Sequence, residues 1–114
     1  MKIQENWLDF CRFNPATKAY ETMIVMDGIT YMAKIDTGAI TSNIDTHTAR
    51  IHKMQKTGKK KRIRLTNDKY EKREMTSAFL SVFGKYRDID FTISDRQDMK
   101  YRINLGIKAL LDTE

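Results

Sequence analysis

The sequence predicts an all-β domain, and two stretches carry that prediction. Residues 23–26 and 29–35 flank Asp27-Gly28 with apolar runs, and residues 77–83 and 86–94 flank Gly84-Lys85 in the same way. Side chains alternate faces along a strand, so Ile29, Tyr31, Ala33 and Ile35, or Ile89, Phe91 and Ile93, read as half-buried strands. Asp-Gly supplies the positive φ that a tight two-residue hairpin turn requires. Length sets the scale, since 114 residues make one domain with a modest core.

Composition narrows the classes further. Hydrophobic content is an ordinary 40%, and no apolar run approaches the roughly 18 residues of a membrane span. The start, Met1-Lys2-Ile3-Gln4-Glu5-Asn6, lacks the apolar stretch of a signal peptide. Cys11 is alone, which excludes a disulfide framework and a Cys-rich metal site. A cytoplasmic protein without a membrane partner is the default expectation. The net charge of +6 is unevenly placed. From Lys53 to Arg73 ten Lys and Arg face only Asp68 and Glu71, a local +8 that leaves −2 for the remainder. The basic character belongs to one segment, which as a like-charged run reads first as a solvated face.

Taken in order, residues 1–21 read as an N-terminal arm and 22–114 as the domain proper. In the arm, Trp7, Leu8, Phe10, Cys11 and Phe13 fit a short helix or a strand, and Asn14-Pro15 ends either. Packing on the body is favoured over a dimer contact. The first hairpin runs into Ala33-Lys34-Ile35-Asp36-Thr37-Gly38-Ala39, with Thr41-Ser42-Asn43-Ile44 behind it. A strand that delivers a carboxylate, a hydroxyl and a glycine and then turns displays a reactive side chain on a rigid support. Residues 46–54 fit a strand or a short helix. Thr57-Gly58-Lys59 marks a turn inside the basic segment, and the polar stretch 66–76 is a second candidate turn region. After the second hairpin come Asp95-Arg96-Gln97-Asp98-Met99-Lys100-Tyr101 and the apolar run from Ile103 to Leu111.

Two of these stretches resemble a known family. Apolar-Asp36-Thr37-Gly38-Ala39 resembles the active-site turn of retropepsin-like aspartic proteases. With Ala33, Lys34, Thr41 and Ser42 included, it is similar to one branch, bacterial and phage proteins labelled ATP-dependent zinc proteases. Asp95-Arg96-x-x-Met99-x-Tyr101 followed by Leu105-Gly106-x-x-x-Leu110 resembles the C-terminal signature of the same branch. Two separated motifs in the right order span residues 22–111. The resemblance implies a retropepsin-like acid protease fold: a small closed β-barrel with one short C-terminal helix, one lobe per chain. It implies that Leu105 and Gly106 pass behind the Asp turn, where glycine lets the backbone approach closely, and that 107–111 form the helix. It further implies a catalytic Asp36, a Thr37 that bonds across a dimer axis and a Gly38 whose amide approaches the carboxylate. Ala39 and Thr41 complete the turn. A Gly58-centred hairpin carrying Lys59, Lys60, Lys61 and Arg62 is the candidate flap over substrate. Two departures stand out: the segment between the motifs is shorter than in most bacterial members, and Ile40 stands where many relatives are basic.

Aspartic hydrolysis needs two carboxylates too close for both to ionise, one kept protonated and one acting as base toward water. The chain holds one Asp-Thr-Gly; Asp88, Asp90 and Asp95 are followed by neither Thr nor Gly. A two-fold homodimer supplies the second copy, Asp36 beside its own symmetry mate. Other chemistries have less support. There is no His-Glu-x-x-His, and His47 and His52 are five apart, off the i, i+4 spacing of helical zinc ligands. Gly58-Lys59 lacks the rest of a Walker sequence, and Cys11 with two distant histidines makes a poor thiol nucleophile. No metal and no cofactor are expected. The expected function is a homodimeric aspartic peptidase cutting peptide or isopeptide bonds in polypeptides. The branch's tie to glutamate-tail modification of ribosomal proteins implies acidic, Glu-rich substrates. A second class is a catalytically inactive module whose basic hairpin contacts nucleic acid or an acidic partner. Nucleic acid is the weaker choice, because only Tyr70 interleaves the charges. A structural dimer without substrate is the third.

Overall fold

A computed structural model describes residues 7–111. A 3-10 turn (Trp7–Phe10) leads into β1 (Cys11–Asn14), β2 (Ala19–Met26), β3 (Ile29–Ile35), β4 (Ser42–Asp45) and α1 (Thr46–Ile51). Then follow β5 (Lys56–Arg64), β6 (Tyr70–Val82), β7 (Lys85–Ser94), β8 (Ile103–Leu105) and α2 (Ile107–Leu110). The strands pair in the order β1-β2-β3-β8-β4-β7-β6-β5, and Val25 opposite Ser81 joins β2 to β6. That joint closes β2, β3, β8, β4, β7 and β6 into a six-stranded barrel, with β1 and β5 outside the ring. Closure removes the open edges of a sheet. A ring this small is filled by side chains: Ile24, Met26, Ile44, Leu80, Phe91, Ile103, Leu105 and Leu110 are buried in it.

Local stereochemistry explains the hairpins. Asp27 and Gly28 both take positive φ, 51° and 78°, between the paired residues Met26 and Ile29. The second hairpin turns at Phe83-Gly84, one residue earlier than Gly84-Lys85, with φ of 52° and 77° and Val82 opposite Lys85. A left-handed conformation costs a side-chain-bearing residue on the order of 1–2 kcal/mol. Burial of the Phe83 ring, 6.2 Å from the Phe10 ring, offsets that cost. In the arm the helix and strand alternatives both occur in sequence, the 3-10 turn first and β1 second. β1 pairs with β2 from Cys11 opposite Thr22 to Asn14 opposite Ala19. The first six residues of the arm, and 112–114 at the other end, lie outside the described residues. Residues 46–51 become helix because Asp45 caps them, its carboxylate accepting from the His47 and Thr48 amides at 3.1 and 3.3 Å.

The candidate flap requires a correction. Thr57-Gly58-Lys59 does not turn the chain. Gly58, Lys59, Lys60, Lys61 and Arg62 all lie along β5, which continues to Arg64 and reverses over residues 65–69. Between the pairs Lys56–Thr76 and Lys60–Glu74, β5 advances four residues while β6 advances two, so a β-bulge absorbs the excess. Gly58, at φ 85°, serves that bulge. A bulge and a tight turn make the same local demand on glycine, so the residue type alone does not separate them. The reversal falls in the second candidate stretch, 66–76, most of which is strand β6.

What positions the Asp36 turn is the C-terminal segment. β8 inserts between β3 and β4, parallel to β3 (Ile35 opposite Leu105) and antiparallel to β4 (Ile44 opposite Ile103). Gly106 then runs against the turn so closely that a Cβ there would lie 2.7 Å from the Thr41 carbonyl carbon and 2.9 Å from the Ala39 oxygen. Both are backbone atoms that cannot step aside without dragging the turn along. Gly106→Val is expected to destabilise the fold by about 3 kcal/mol or more, at or beyond the upper end of ordinary overpacking. Urea denaturation of the two proteins checks this; an unchanged midpoint would contradict the packing.

Candidate active site

Asp36 stands where β3 leaves the barrel wall. Its amide donates to the Leu105 carbonyl at 2.8 Å, which anchors the turn to β8. The Gly38 amide donates to Asp36 Oδ1 at 3.0 Å, and a Cβ on Gly38 would sit 3.3 Å from that oxygen. The Ala39 amide returns to the Asp36 carbonyl at 3.2 Å. Asp36 is half-buried, while Thr37, Gly38 and Ile40 are exposed around it. The arrangement is a carboxylate on a rigid bend, open to solvent on one side.

Asp36 also lines a cleft of about 540 Å³, together with Lys34, Arg96, Lys100, Tyr101 and Asn104 among others. Asn104 Nδ2 donates to Asp36 Oδ2 at 3.0 Å. Arg96 is held at three points: its amide donates to Asp45 Oδ1 (2.7 Å), Nη1 to Asn43 Oδ1 (2.9 Å) and Nε to the Tyr101 carbonyl (2.9 Å). Burial pushes the Arg96 guanidinium down from its ordinary value, Arg73 adds to this, and the nearby Asp45 and Asp36 carboxylates oppose it. Three cationic side chains therefore share one cleft with a single carboxylate. An acidic ligand would find matching charge there.

Three comparisons bear on what this arrangement is. No family model matches the sequence, and no curated protein matches it. Solved structures do. A retropepsin-like aspartic protease from Rickettsia conorii aligns with a TM-score of 0.63 and 17% identity, over 89% of this chain and 75% of that one. Simian foamy virus protease aligns at 0.56 and 14%, over 75% and 86%. The retroviral protease-like domain of Ddi1 from Leishmania major aligns at 0.53 and 16%, over 79% and 70%. The fold is retropepsin-like. At these identities the likeness speaks for the architecture.

Within this retropepsin-like barrel the expected residues gather around one turn. Asp36, Thr37, Gly38, Ala39 and Thr41 form it, and Leu105 and Gly106 lie behind it. The Ile107 amide donates to the Ala39 carbonyl (2.8 Å), and the Gly106 amide to Ser42 Oγ (3.0 Å). Of the basic strand, only Lys61 reaches the turn, its Nζ donating to Thr41 Oγ1 at 2.7 Å. Burial lowers the Lys61 ammonium's pKa, and Lys108 close by adds to that. Lys59, Lys60 and Arg62 are exposed on β5, Arg62 stacked 4.0 Å over the Tyr70 ring. His47 is exposed, and the His52 ring is buried between the Tyr31 hydroxyl (2.6 Å) and the Asp27 carboxylate (2.8 Å). No three His, Cys, Asp or Glu side chains among the described residues converge to hold a metal. Cys11 is half-buried and donates to the Trp7 carbonyl; burial raises its thiol pKa and so disfavours a thiolate, with a bond from Thr22 opposing it only in part.

Sequence reasoning did not single out Asn104, Arg96, Tyr101 or Glu21 as site residues. Arg96 and Tyr101 sat inside the C-terminal signature, and Asn104 was visible as the one polar residue between Ile103 and Leu105. Glu21 carried no signal, because it is an acid at an inward position of β2. Its buried carboxylate accepts from the Tyr101 hydroxyl, from Asn14 Nδ2 at 3.0 Å and from Arg12 Nε at 3.2 Å. The Tyr101 bond first, and then those of Asn14 and Arg12, hold Glu21 below its ordinary value of 4.5 against the opposing effect of burial. A depressed carboxylate adds stability that is fully present above that ordinary value and is lost as pH falls through the lower folded one. Glu21→Gln is thus expected to lower the melting temperature at pH 7, with the gap to wild type shrinking below about pH 4.5. Thermal melts between pH 3 and 7 check this; a gap independent of pH would contradict it.

Proposed function

We propose that the protein is an aspartic peptidase working as a two-fold homodimer, with Asp36 facing the Asp36 of a second chain. The observation that carries this is the Asp36 turn itself. It is a half-exposed carboxylate held at Oδ1 by the Gly38 amide, on the retropepsin-like barrel, with exposed Thr37, Gly38 and Ile40 around it. A single Asp-Thr-Gly per chain calls for a second subunit. In the dyad, one carboxylate draws a proton from water while the water oxygen bonds to the scissile carbonyl carbon. The protonated partner gives its proton to the carbonyl oxygen, and proton delivery to the leaving nitrogen accompanies C–N cleavage. The pair titrates as a unit. Thr37 bonds across the axis and keeps the carboxylates in register.

Within the fold, the resemblance of the Asp36 and Asp95–Leu110 motifs supports a reading as a member of the branch labelled ATP-dependent zinc proteases. Acidic polypeptides are the preferred substrates. Lys34, Arg96 and Lys100 line the cleft beside Asp36, Lys61 reaches its turn, and Lys59, Lys60 and Arg62 lie exposed on the neighbouring strand. Charge-assisted bonds to carboxylates suit such a surface.

Asp36→Asn is expected to cut hydrolysis by about 10³-fold or more while leaving the circular dichroism unchanged. Sedimentation should show a dimer, and a strictly monomeric species that stays active on dilution would sink the proposal. Changing Lys59, Lys60, Lys61 and Arg62 to Gln is expected to slow cleavage of Glu-rich peptides more than of neutral ones, with the difference fading as salt rises. A basic two-stranded ribbon with Arg62 stacked on Tyr70 also favours a second reading, an inactive nucleic-acid-binding module. Equal effects on both peptides, with tight salt-sensitive RNA or DNA binding lost in the same variant, would decide for it.

A further inference from the structure

We propose that Asn104 is a positioning residue of the dyad, the second of two donors that grip the Asp36 carboxylate at both of its oxygens. The proposal rests on the peptidase reading. Gly38, from the turn, donates to Oδ1 at 3.0 Å; Asn104, from β8, donates to Oδ2 at the same distance. A terminal carboxylate torsion is broad and two-fold when unrestrained. Donors from two separate elements stop that rotation, and the plane of the carboxylate is then fixed by the barrel itself.

Asn104 is 7% exposed, and among the described residues its Oδ1 has no hydrogen-bond partner. Turning the amide over would set that oxygen against the Asp36 oxygen, acceptor against acceptor, so the unpaired end cannot be relieved by a flip. A buried unpaired carbonyl disfavours the folded state, whereas an apolar side chain of similar shape would not. Leucine is such a side chain, and the flanking Ile103 and Leu105 are apolar and buried. The bond to Asp36 is the benefit that stands against this cost, and a local conflict of this sort belongs to a functional site. An amide donor also favours the ionised form of the carboxylate it touches. Among the described residues, the other charged or titratable groups around this turn include Arg96, Lys34, Lys100, Tyr101 and, through Thr41, Lys61 with Lys108 beside it. All are retained when Asn104 alone is changed.

The test uses the full chain with Asn104→Leu, and Asn104→Ala should leucine not fit. Three quantities are read: the urea midpoint, the pH profile of kcat/KM on a peptide, and the pH titration of the Asp36 carboxyl carbon by NMR. The expected result is a urea midpoint equal to or above wild type and kcat/KM lowered about 10-fold. The acid limb of the profile and the carboxyl titration should both move up. A variant that loses stability but keeps the profile and the titration of wild type would overturn the proposal, leaving Asn104 a packing residue. If wild type cleaves nothing, the NMR titration still decides. A moved midpoint then supports Asn104 while the peptidase reading falls, and an unmoved one removes both.

Discussion

The close passage of Gly106 behind the Asp36 turn is the constraint on which the rest depends. Four hydrogen bonds knit the two segments: Asp36 amide to Leu105 carbonyl, Ile107 amide to Ala39 carbonyl, Lys108 amide to Ile40 carbonyl and Gly106 amide to Ser42 Oγ. A turn carries backbone groups that water would otherwise have to satisfy. Here the C-terminal segment satisfies them, at a sequence distance of 64 residues in the Ser42 case. So close an approach requires a residue without Cβ, and the atoms a Cβ would strike are backbone. The result is a carboxylate whose support moves only if the barrel moves, the pre-organisation that electrostatic catalysis demands.

The same insertion of β8 decides the surroundings of Asp36. Asn104 reaches Oδ2 because β8 runs beside β3 with Lys34 opposite Asn104. Arg96 arrives by a second route. The loop after β7 is tied to the N-cap of α1 through Asp45 and to β4 through Asn43. Burial alone would raise the Asp45 pKa, yet the amides of Arg96, Thr48 and His47 and the Arg102 charge bring it down. Tyr101 then joins this loop to the arm through Glu21 and through Thr17 Oγ1 at 2.7 Å. Buried polar groups of this kind disfavour folding unless paired. Their pairing forms the wall of a cleft that is cationic beside an acid.

The basic segment is less uniform than its composition suggests. Lys56 meets Glu74 at 2.5 Å, Arg73 meets Glu71 at 3.3 Å, and Arg64 pairs with Asp68. Such surface pairs add little stability, but Lys56–Glu74 and Arg64–Asp68 partly neutralise the two ends of the ribbon and Arg73–Glu71 its middle. Lys59, Lys60 and Arg62 lie exposed in the middle of β5, Lys60 opposite Glu74, with Lys61 turned inward to Thr41. Charge along the chain thus became charge at one place on the surface, next to the turn.

The sequence by itself determined the local features. Strand alternation and the Asp27-Gly28 turn followed from residue-level stereochemistry, and the Asp36 turn and Leu105-Gly106 followed from motif order. Local signals were ambiguous wherever one backbone demand has two solutions. Gly58 at positive φ fits a turn or a bulge, and Phe83-Gly84 against Gly84-Lys85 differ by one register position. Residues 46–51 fit strand or helix by pattern, and the Asp45 cap favours the helix. Tertiary structure alone decided the closure of β2 onto β6, the insertion of β8 between β3 and β4, and which polar side chains meet Asp36. The reason is physical. Periodicity and turn preference act over a few residues, whereas Asn104, Arg96 and Asp36 are brought together by strand pairings whose partners lie tens of residues apart and carry no mark of each other in the chain.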